Sequence, residues 1–191
     1  MTEPERLALL TDLAQKCAAP HGLVLDHLGV SDSGRRRALR IVVDTDISAI
    51  DPSDTTSVVA PVDLDAVAEL AREVSARLDA SDIMGERPYT LEVSSPGIGR
   101  QLVEFSHFRR SVGRKLRLTY TPEGGKTTEV TGRLVSASPE QLTITPDPVR
   151  SSPGAKPKAV PDVTVARADI DRANVEVDFS STEFADTQED H

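Results

Sequence analysis

Several residues of types that bind metal ions or act as nucleophiles occur in this chain of 191 residues. Four acids follow a predicted strand and suggest a calcium-binding loop: Asp44, Asp46, Asp51 and Asp54. Such a loop also needs an acid or Asn at its fifth position, glycine at its sixth and glutamate at its twelfth. Those positions hold Ser48, Ala49 and Thr55, so we expect a solvated acidic loop and no metal site.

The single cysteine and the four histidines do not complete a zinc or catalytic site. Cys17 and His21 lie four residues apart, on one face of a predicted helix. Zinc needs three or four protein ligands, and the other histidines are scattered singly along the chain. We therefore expect Cys17 to be a core residue near a helix end. No Ser-His-Asp or Cys-His arrangement is visible, so the sequence predicts no enzyme.

The stretch Gly97-Ile98-Gly99-Arg100 is similar to half of a dinucleotide-binding loop. The third glycine of that fingerprint would fall at Leu102, and no long helix is predicted to begin there. We therefore expect no nucleotide and no other cofactor.

Charge is unevenly distributed along this acidic chain. It carries 31 acidic and 22 basic residues, a net charge of −9, which disfavours general binding to polyanions. Residues 1–95 hold 17 acids and 9 bases, whereas residues 96–179 hold 10 acids and 13 bases. The sign changes at Ser95-Pro96-Gly97, a breaker cluster that we take as the domain boundary.

Six basic residues lie within 100–117, and that segment contains a single acid, Glu104. They are Arg100, Arg109, Arg110, Arg114, Lys115 and Arg117. Phe105 and Phe108 are one helical turn apart and would pin a short helix to the following domain, leaving several of the cations facing solvent. A phosphate-binding patch and a merely solvated basic face both stay open here. The same two alternatives apply to Arg35-Arg36-Arg37, in a predicted hairpin turn.

The first part of the chain predicts an α+β domain with the order α-β-β-α-β. A helix is expected over Arg6–Ala18, and a strand begins at Leu23 with a bulge near Asp26-His27. A polar turn over 31–37 precedes a strand over 39–43. Asp63 is the expected N-cap of a long helix, and a strand follows from Tyr89. Both helices should pack on one face of the short sheet, giving an α/β sandwich.

The second part predicts an all-β domain of five short strands closed into a small barrel. We place the first domain at 1–95, a linker with a short helix at 96–112 and the barrel at 113–180. Residues 146–161 contain five prolines and are expected to form a long loop. Residues 181–191 are acidic and poor in apolar groups, so we expect a disordered tail.

The lone cysteine fits a reducing compartment, and neither a secretory leader nor an apolar membrane span is evident. The sequence therefore predicts a cytoplasmic protein.

Residues 89–102, YTLEVSSPGIGRQL, resemble the signature of the RimP family of bacterial ribosome maturation factors. The matching positions are Leu91, Glu92, Val93, Ser94, Ser95, Pro96, Gly97 and Arg100. Three positions depart from the family pattern: Ile98-Gly99 replaces leucine-aspartate, and Gln101 replaces proline. The resemblance extends over most of residues 5–180, including Phe108-Arg109-Arg110 and Gly113.

This resemblance implies a non-enzymatic factor, expected to be a monomer, that helps to mature the small (30S) ribosomal subunit, and it makes the predicted barrel Sm-like. It also implies two partners: 16S rRNA and the basic ribosomal protein uS-twelve. Phosphates of the rRNA would then contact Arg109, Arg110, Arg114, Lys115 and Arg117, while the acidic first domain meets basic protein. A general RNA chaperone built on an Sm-like module is the alternative.

Overall fold

A computed structural model describes residues 2–33, 36–97, 99–149 and 158–177 of the chain. It divides into two compact units. The first consists of Met1–Asp54 and Val59–Gly97, and the second of Thr55–Val58 and Ile98–His191. The short segment Thr55–Val58 thus belongs to the second unit, although it lies far upstream of the rest of that unit in sequence.

The first unit has the predicted order of elements. It contains α1 (Glu3–Ala18), β1 (Leu23–Ser33), β2 (Arg36–Thr45), α2 (Leu64–Asp79) and β3 (Tyr89–Ser94). The sheet order is β1-β2-β3, with β1 antiparallel and β3 parallel to β2. Helix α1 begins earlier than predicted because Thr2 and Glu5 form a reciprocal capping box. Asp63 caps α2 as expected.

Strand β1 contains the predicted bulge, since its register with β2 shifts between Leu25 and His27. The predicted polar turn over 31–37 is wrong in length. The hairpin strands run on to Ser33 and from Arg36, so only two residues separate them. The register pairs Asp32 with Arg37, and this ion pair holds the two strands together beyond the apolar stretch.

The core of the first unit lies between its sheet and its two helices. Leu39, Ile41 and Val43 alternate along β2 and are fully buried. They belong to one apolar cluster with Leu10, Ala14 and Cys17 of α1 and with Leu70, Val74 and Leu78 of α2. The residues between them on β2 face the other way, and Arg40 is exposed. Both helices therefore cover the same face of the sheet, as the apolar periodicity predicts.

The second unit carries the short helix α3 (Phe105–Arg110) and the five predicted strands. These are β4 (Lys115–Tyr120), β5 (Thr128–Ala137), β6 (Gln141–Pro146), β7 (Val163–Ala166) and β8 (Ile170–Val175). They form one antiparallel sheet in the order β7-β6-β5-β4-β8. Phe108 packs in its core with Leu116, Leu118 and Ile144.

Closure of this sheet into a barrel is not seen in the described part of the chain. Closure would require β7 and β8 to pair, but each pairs with a single neighbour, β6 and β4 respectively. The last strand ends at Val175. Phe179 and the predicted tail 181–191 lie outside the described residues. So does the centre of the proline-rich loop, whose flanks pair at Val149 and Lys158.

Candidate functional site

The signature segment begins as the edge strand β3. Leu91 and Val93 pack against the core of the first unit, whereas Glu92 and Ser94 are exposed. The parallel register places Glu92 opposite Arg40. Arg40 Nε donates a 2.9 Å hydrogen bond to Glu92 Oε2. This contact gives Glu92 a structural role on the open face of the sheet.

The end of the signature docks on β8 in the second unit. The amide of Leu102 donates to the carbonyl of Ala173 at 2.8 Å, and Asn174 Nδ2 donates to the carbonyl of Gly99 at the same distance. Arg100 Nη2 lies 2.8 Å from Nε2 of His107 on α3. Ser95, Pro96 and Gly97 precede these contacts and belong to the first unit. The signature thus supplies backbone contacts to the second sheet.

Arg109 and Arg110 are not among the cations that face solvent, and their contact with rRNA stays a prediction. They are only 4% and 8% exposed. Phe108 and Val112, which flank the two arginines in sequence, are buried. Because the helix is only six residues long, their burial also brings Arg109 and Arg110 against the rest of the second unit. Arg109 Nη1 donates a 2.6 Å hydrogen bond to the carbonyl of Ser57.

The remaining predicted cations lie on or just before β4. Lys115 Nζ is 2.5 Å from Asp147 Oδ2, and Arg117 Nε is 2.9 Å from Glu176 Oε1. Arg114 is exposed. Any phosphate would therefore compete with a carboxylate at Lys115 and at Arg117.

The segment Thr55–Val58 contacts the second unit although no sequence pattern predicts it. Its Thr55 carbonyl accepts from the Ala137 amide at 2.9 Å, and its Thr55 hydroxyl accepts from Ser136 Oγ at 3.0 Å. Val58 packs on Gly113, where a Cβ would come within 2.9 Å of a valine methyl. No local pattern signals these contacts, because the partners are far apart in sequence.

In the arginine run at the hairpin, Arg37 is buried and structural. It donates to both carboxylate oxygens of Asp32 at 3.2 Å and to the Met84 carbonyl at 3.0 Å. The hydrogen bonds from Arg37, followed by the charges of Arg37 and Arg87, lower the pKa of Asp32. Arg37 therefore cannot reach out to a phosphate backbone. Arg35 and the Arg36 side chain lie outside the described residues.

Cys17 is fully buried, which confirms the prediction of a core cysteine. Burial, reinforced by the carboxylate of Glu73, raises the pKa of its thiol. His21 Nε2 lies 3.4 Å from Glu73 Oε2. In the described ranges, no group of three or more His, Cys, Asp or Glu side chains is arranged to hold a metal ion.

One stretch of the chain, most of which belongs to the first unit, is rich in carboxylates. From Asp44 to Glu69 the chain has seven acids and no Lys, Arg or His. The exposed members are Asp46, Asp51, Asp63, Asp65 and Glu69. Asp46 lies beside the start of β1, since its amide donates to the Gly22 carbonyl at 2.9 Å. The hydroxyl and amide of Ser53 hydrogen-bond to Asp51 and lower the pKa of that carboxyl group.

Comparison with known proteins identifies the family. Residues 13–99 match the model of the RimP N-terminal domain. The chain is 37% identical over 159 residues to a protein of Kineococcus radiotolerans called ribosome maturation factor RimP. That alignment covers 82% of this chain and 70% of the relative. The chain belongs to the RimP family. This assignment confirms the resemblance found in the signature, and it places the protein among factors of ribosome biogenesis.

RimP membership extends past the signature into the second unit, because the alignment with the relative is longer than the matched N-terminal domain. In the described part of this RimP chain, no helix is long and apolar enough to cross a membrane.

Proposed function

We propose that this RimP chain assists maturation of the small (30S) ribosomal subunit by binding its precursor, without catalysing a reaction. The precursor particle offers two ligands, the basic ribosomal protein uS-twelve and 16S rRNA. The protein acts in the cytoplasm as a monomer with two domains, of which the second has an Sm-like architecture. Family membership supports the role in ribosome maturation, and the charge distribution supports the choice of partner.

The acidic surface of the first unit carries the proposal for a basic protein partner. Asp46, Asp51 and Asp65 are exposed in a stretch of the chain that has no basic residue. A surface of one charge sign attracts a ligand of the opposite sign, raises the rate of encounter and repels like-charged ligands such as RNA. A basic ribosomal protein therefore fits this surface better than an rRNA phosphate backbone does.

Contact with 16S rRNA would use the second unit and fewer cations than the sequence pattern proposed. Arg109 and Arg110 are buried, so they would act by holding α3 in place. The cations that can reach phosphates are Arg114, Lys115 and Arg117, which lie close together in sequence. Since Lys115 and Arg117 already contact acids, this contribution is modest and depends on salt concentration. Pro96 and Gly97 would set the angle between the domains, because proline restricts the backbone and glycine frees it.

The protein partner is tested by neutralising the acidic surface. Asp46→Asn, Asp51→Asn and Asp65→Asn together remove three charges, and the amide oxygens can still accept the hydrogen bonds from Ser48 and Ser53. We expect association with purified uS-twelve to slow about ten-fold at low ionic strength. The control combines Glu86→Gln, Glu123→Gln and Glu129→Gln, which change the net charge equally at other exposed positions. Equal binding by both triple variants would refute the acidic surface as the uS-twelve site.

The rRNA partner is tested separately with Arg114→Glu, Lys115→Glu and Arg117→Glu. We expect weaker co-sedimentation with precursor particles and unchanged binding to purified uS-twelve. If the protein were a general RNA chaperone, it would bind unrelated RNA as tightly as 16S rRNA. Its affinity for both RNAs would then fall steeply as the salt concentration rises. If these three substitutions left association with precursor particles unchanged, then Arg114, Lys115 and Arg117, which we call the basic patch, would not be the rRNA contact.

A further inference from the structure

A cleft of about 460 Å³ lies in the first unit, between the N-terminal half of α1 and the edge strand β1. Its walls combine apolar side chains, strand backbone and two guanidinium groups. The residues that form these walls include Arg6, Leu7, Leu28, Gly29, Val30 and Arg37. Because glycine has no side chain, the wall at position 29 is the backbone of the strand itself.

The outer edge of β1 is available for pairing at this cleft. In the described part of the chain, β1 pairs with β2 and with no other strand. Its bulge lies upstream, and Leu28–Asp32 pairs with Arg37–Ile41 in unbroken register. Every second residue of such an edge directs its N–H and C=O groups away from the sheet. This part of β1 can therefore accept one more strand.

The apolar side chains of the cleft suit an extended peptide. Leu28 and Val30 are half-buried and lie on the same side of β1, two residues apart. Across the cleft, Leu7 on α1 is 41% exposed. A strand added to β1 would place alternate side chains between these residues and Leu7, as in other complexes formed by strand addition.

The two arginines of the cleft differ in their contacts. Arg37 is bound to Asp32 and to the Met84 carbonyl, and Asp32 is also 3.6 Å from Arg87. Nε of Arg6 is buried and has no hydrogen-bond partner among the described residues. Glu3, the other acid in the cleft, is exposed on the first turn of α1. Arg6 therefore offers a buried donor that a carboxylate would satisfy.

We propose that this cleft binds an extended acidic-apolar segment of a partner protein, which adds as a strand to Leu28–Asp32 of β1. An apolar side chain of the segment packs on Leu7, and a carboxylate accepts from Arg6. This interaction is independent of the acidic surface and of the basic patch, which use other residues.

The test is an NMR titration of the ¹⁵N-labelled full chain with the capped peptide Thr-Val-Thr-Val-Glu-Val-Thr-Lys. We expect shift changes concentrated at the amides of residues 28–32 and at the side chain of Arg6. A copy of the peptide that is N-methylated at alternate residues loses donors for the edge and should bind at least ten-fold more weakly. Shifts confined to another surface, or equal binding of the methylated copy, would overturn strand addition.

Variants test the two side-chain contacts. Arg6→Gln should weaken binding of the peptide about ten-fold, or 1.4 kcal/mol. A second peptide, in which Gln replaces Glu, should bind to Arg6→Gln and to the wild type equally well. Leu7→Asp should abolish binding, whereas Leu9→Asp on the same helix should not, since Leu9 is 47% exposed and lies outside the cleft. Loss of binding in both leucine variants, or none in Arg6→Gln, contradicts the proposal.

Two further titrations identify other occupants. A ten-nucleotide oligouridine that shifts the same amides and competes with the peptide would assign the cleft to RNA phosphates instead. If the peptide bound only after deletion of residues 178–191, the occupant would be the chain's own acidic end. Either result would replace a partner protein as the ligand.

Discussion

Arg109 Nη1 donates a 2.6 Å hydrogen bond to the carbonyl oxygen of Ser57, which lies 52 residues earlier in the chain. At the other end of the same short segment, the Thr55 carbonyl accepts from the amide of Ala137 in β5. Thr55–Val58 is thereby fixed to the second unit at both ends. Arg109, which the family resemblance suggested as an rRNA contact, therefore has a structural role in this fold.

Arg109→Met should destabilise the second unit, because it keeps the apolar stem and removes the buried hydrogen bond. We expect the free energy of unfolding to fall by about 1–3 kcal/mol, measured by urea denaturation. Arg114→Met is the control, since Arg114 is exposed, and should change it by less than about 0.5 kcal/mol. Similar values for the two variants would mean that the contact with Ser57 contributes nothing.

Gly113→Ala should be more harmful than an ordinary glycine substitution. Gly113 has φ +86°, and an added Cβ would lie 2.9 Å from a methyl carbon of Val58. Gly124 has a similar positive φ of +68° but open space around it, so Gly124→Ala carries only the backbone cost of about 1–2 kcal/mol. We expect a larger loss of thermal stability for Gly113→Ala. Adding Val58→Ala should bring it back to the Gly124→Ala level, and no recovery would contradict the steric explanation.

The contact between Asp32 and Arg37 should make the first unit sensitive to acid. Since the pKa of Asp32 is lower in the folded than in the unfolded chain, the ionised carboxylate stabilises the fold above its ordinary pKa, and this contribution is lost as the pH falls through the lowered value. In Asp32→Asn, the free energy of unfolding should therefore fall less steeply between about pH 5 and 2 than it does in the wild type. Urea denaturation at several pH values across that range measures this difference. Asp12→Asn, which breaks an exposed pair with Lys16, is the control for removing a carboxylate from the first unit. Identical profiles for wild type and Asp32→Asn would contradict this role.

The pair between Arg40 and Glu92 separates structure from binding within the family signature. Their side chains are 63% and 44% exposed, so a double-mutant cycle should give a coupling of about 0.2–1 kcal/mol. The exchange Arg40→Glu with Glu92→Arg should preserve most of this coupling. If Glu92 is structural, the exchanged variant should still associate with precursor particles. A stable exchanged variant that no longer associates would assign Glu92 to the binding surface.

Local patterns in the sequence were sufficient for most of the secondary structure. The apolar periodicity of α1 and α2, the alternation along β2 and β3, the bulge in β1 and the cap at Asp63 all depend on neighbours within a few residues. Such signals are readable because side-chain direction repeats every 3.6 residues in a helix and every two in a strand. The signature likewise sufficed for the family, since it is a continuous stretch.

Contacts between distant residues were decided only by the tertiary structure. The sequence left Arg37, Arg109 and Arg110 as candidate phosphate contacts, but all three are buried. Arg37 donates to the carbonyl of Met84 and Arg109 to that of Ser57, and both carbonyls are too distant in sequence for a local pattern to place them there. The membership of Thr55–Val58 in the second unit and the cleft beside Arg6 have the same origin. Whether a charged side chain binds a ligand or holds the fold depends on which backbone carbonyls and carboxylates folding brings within about 3 Å of it.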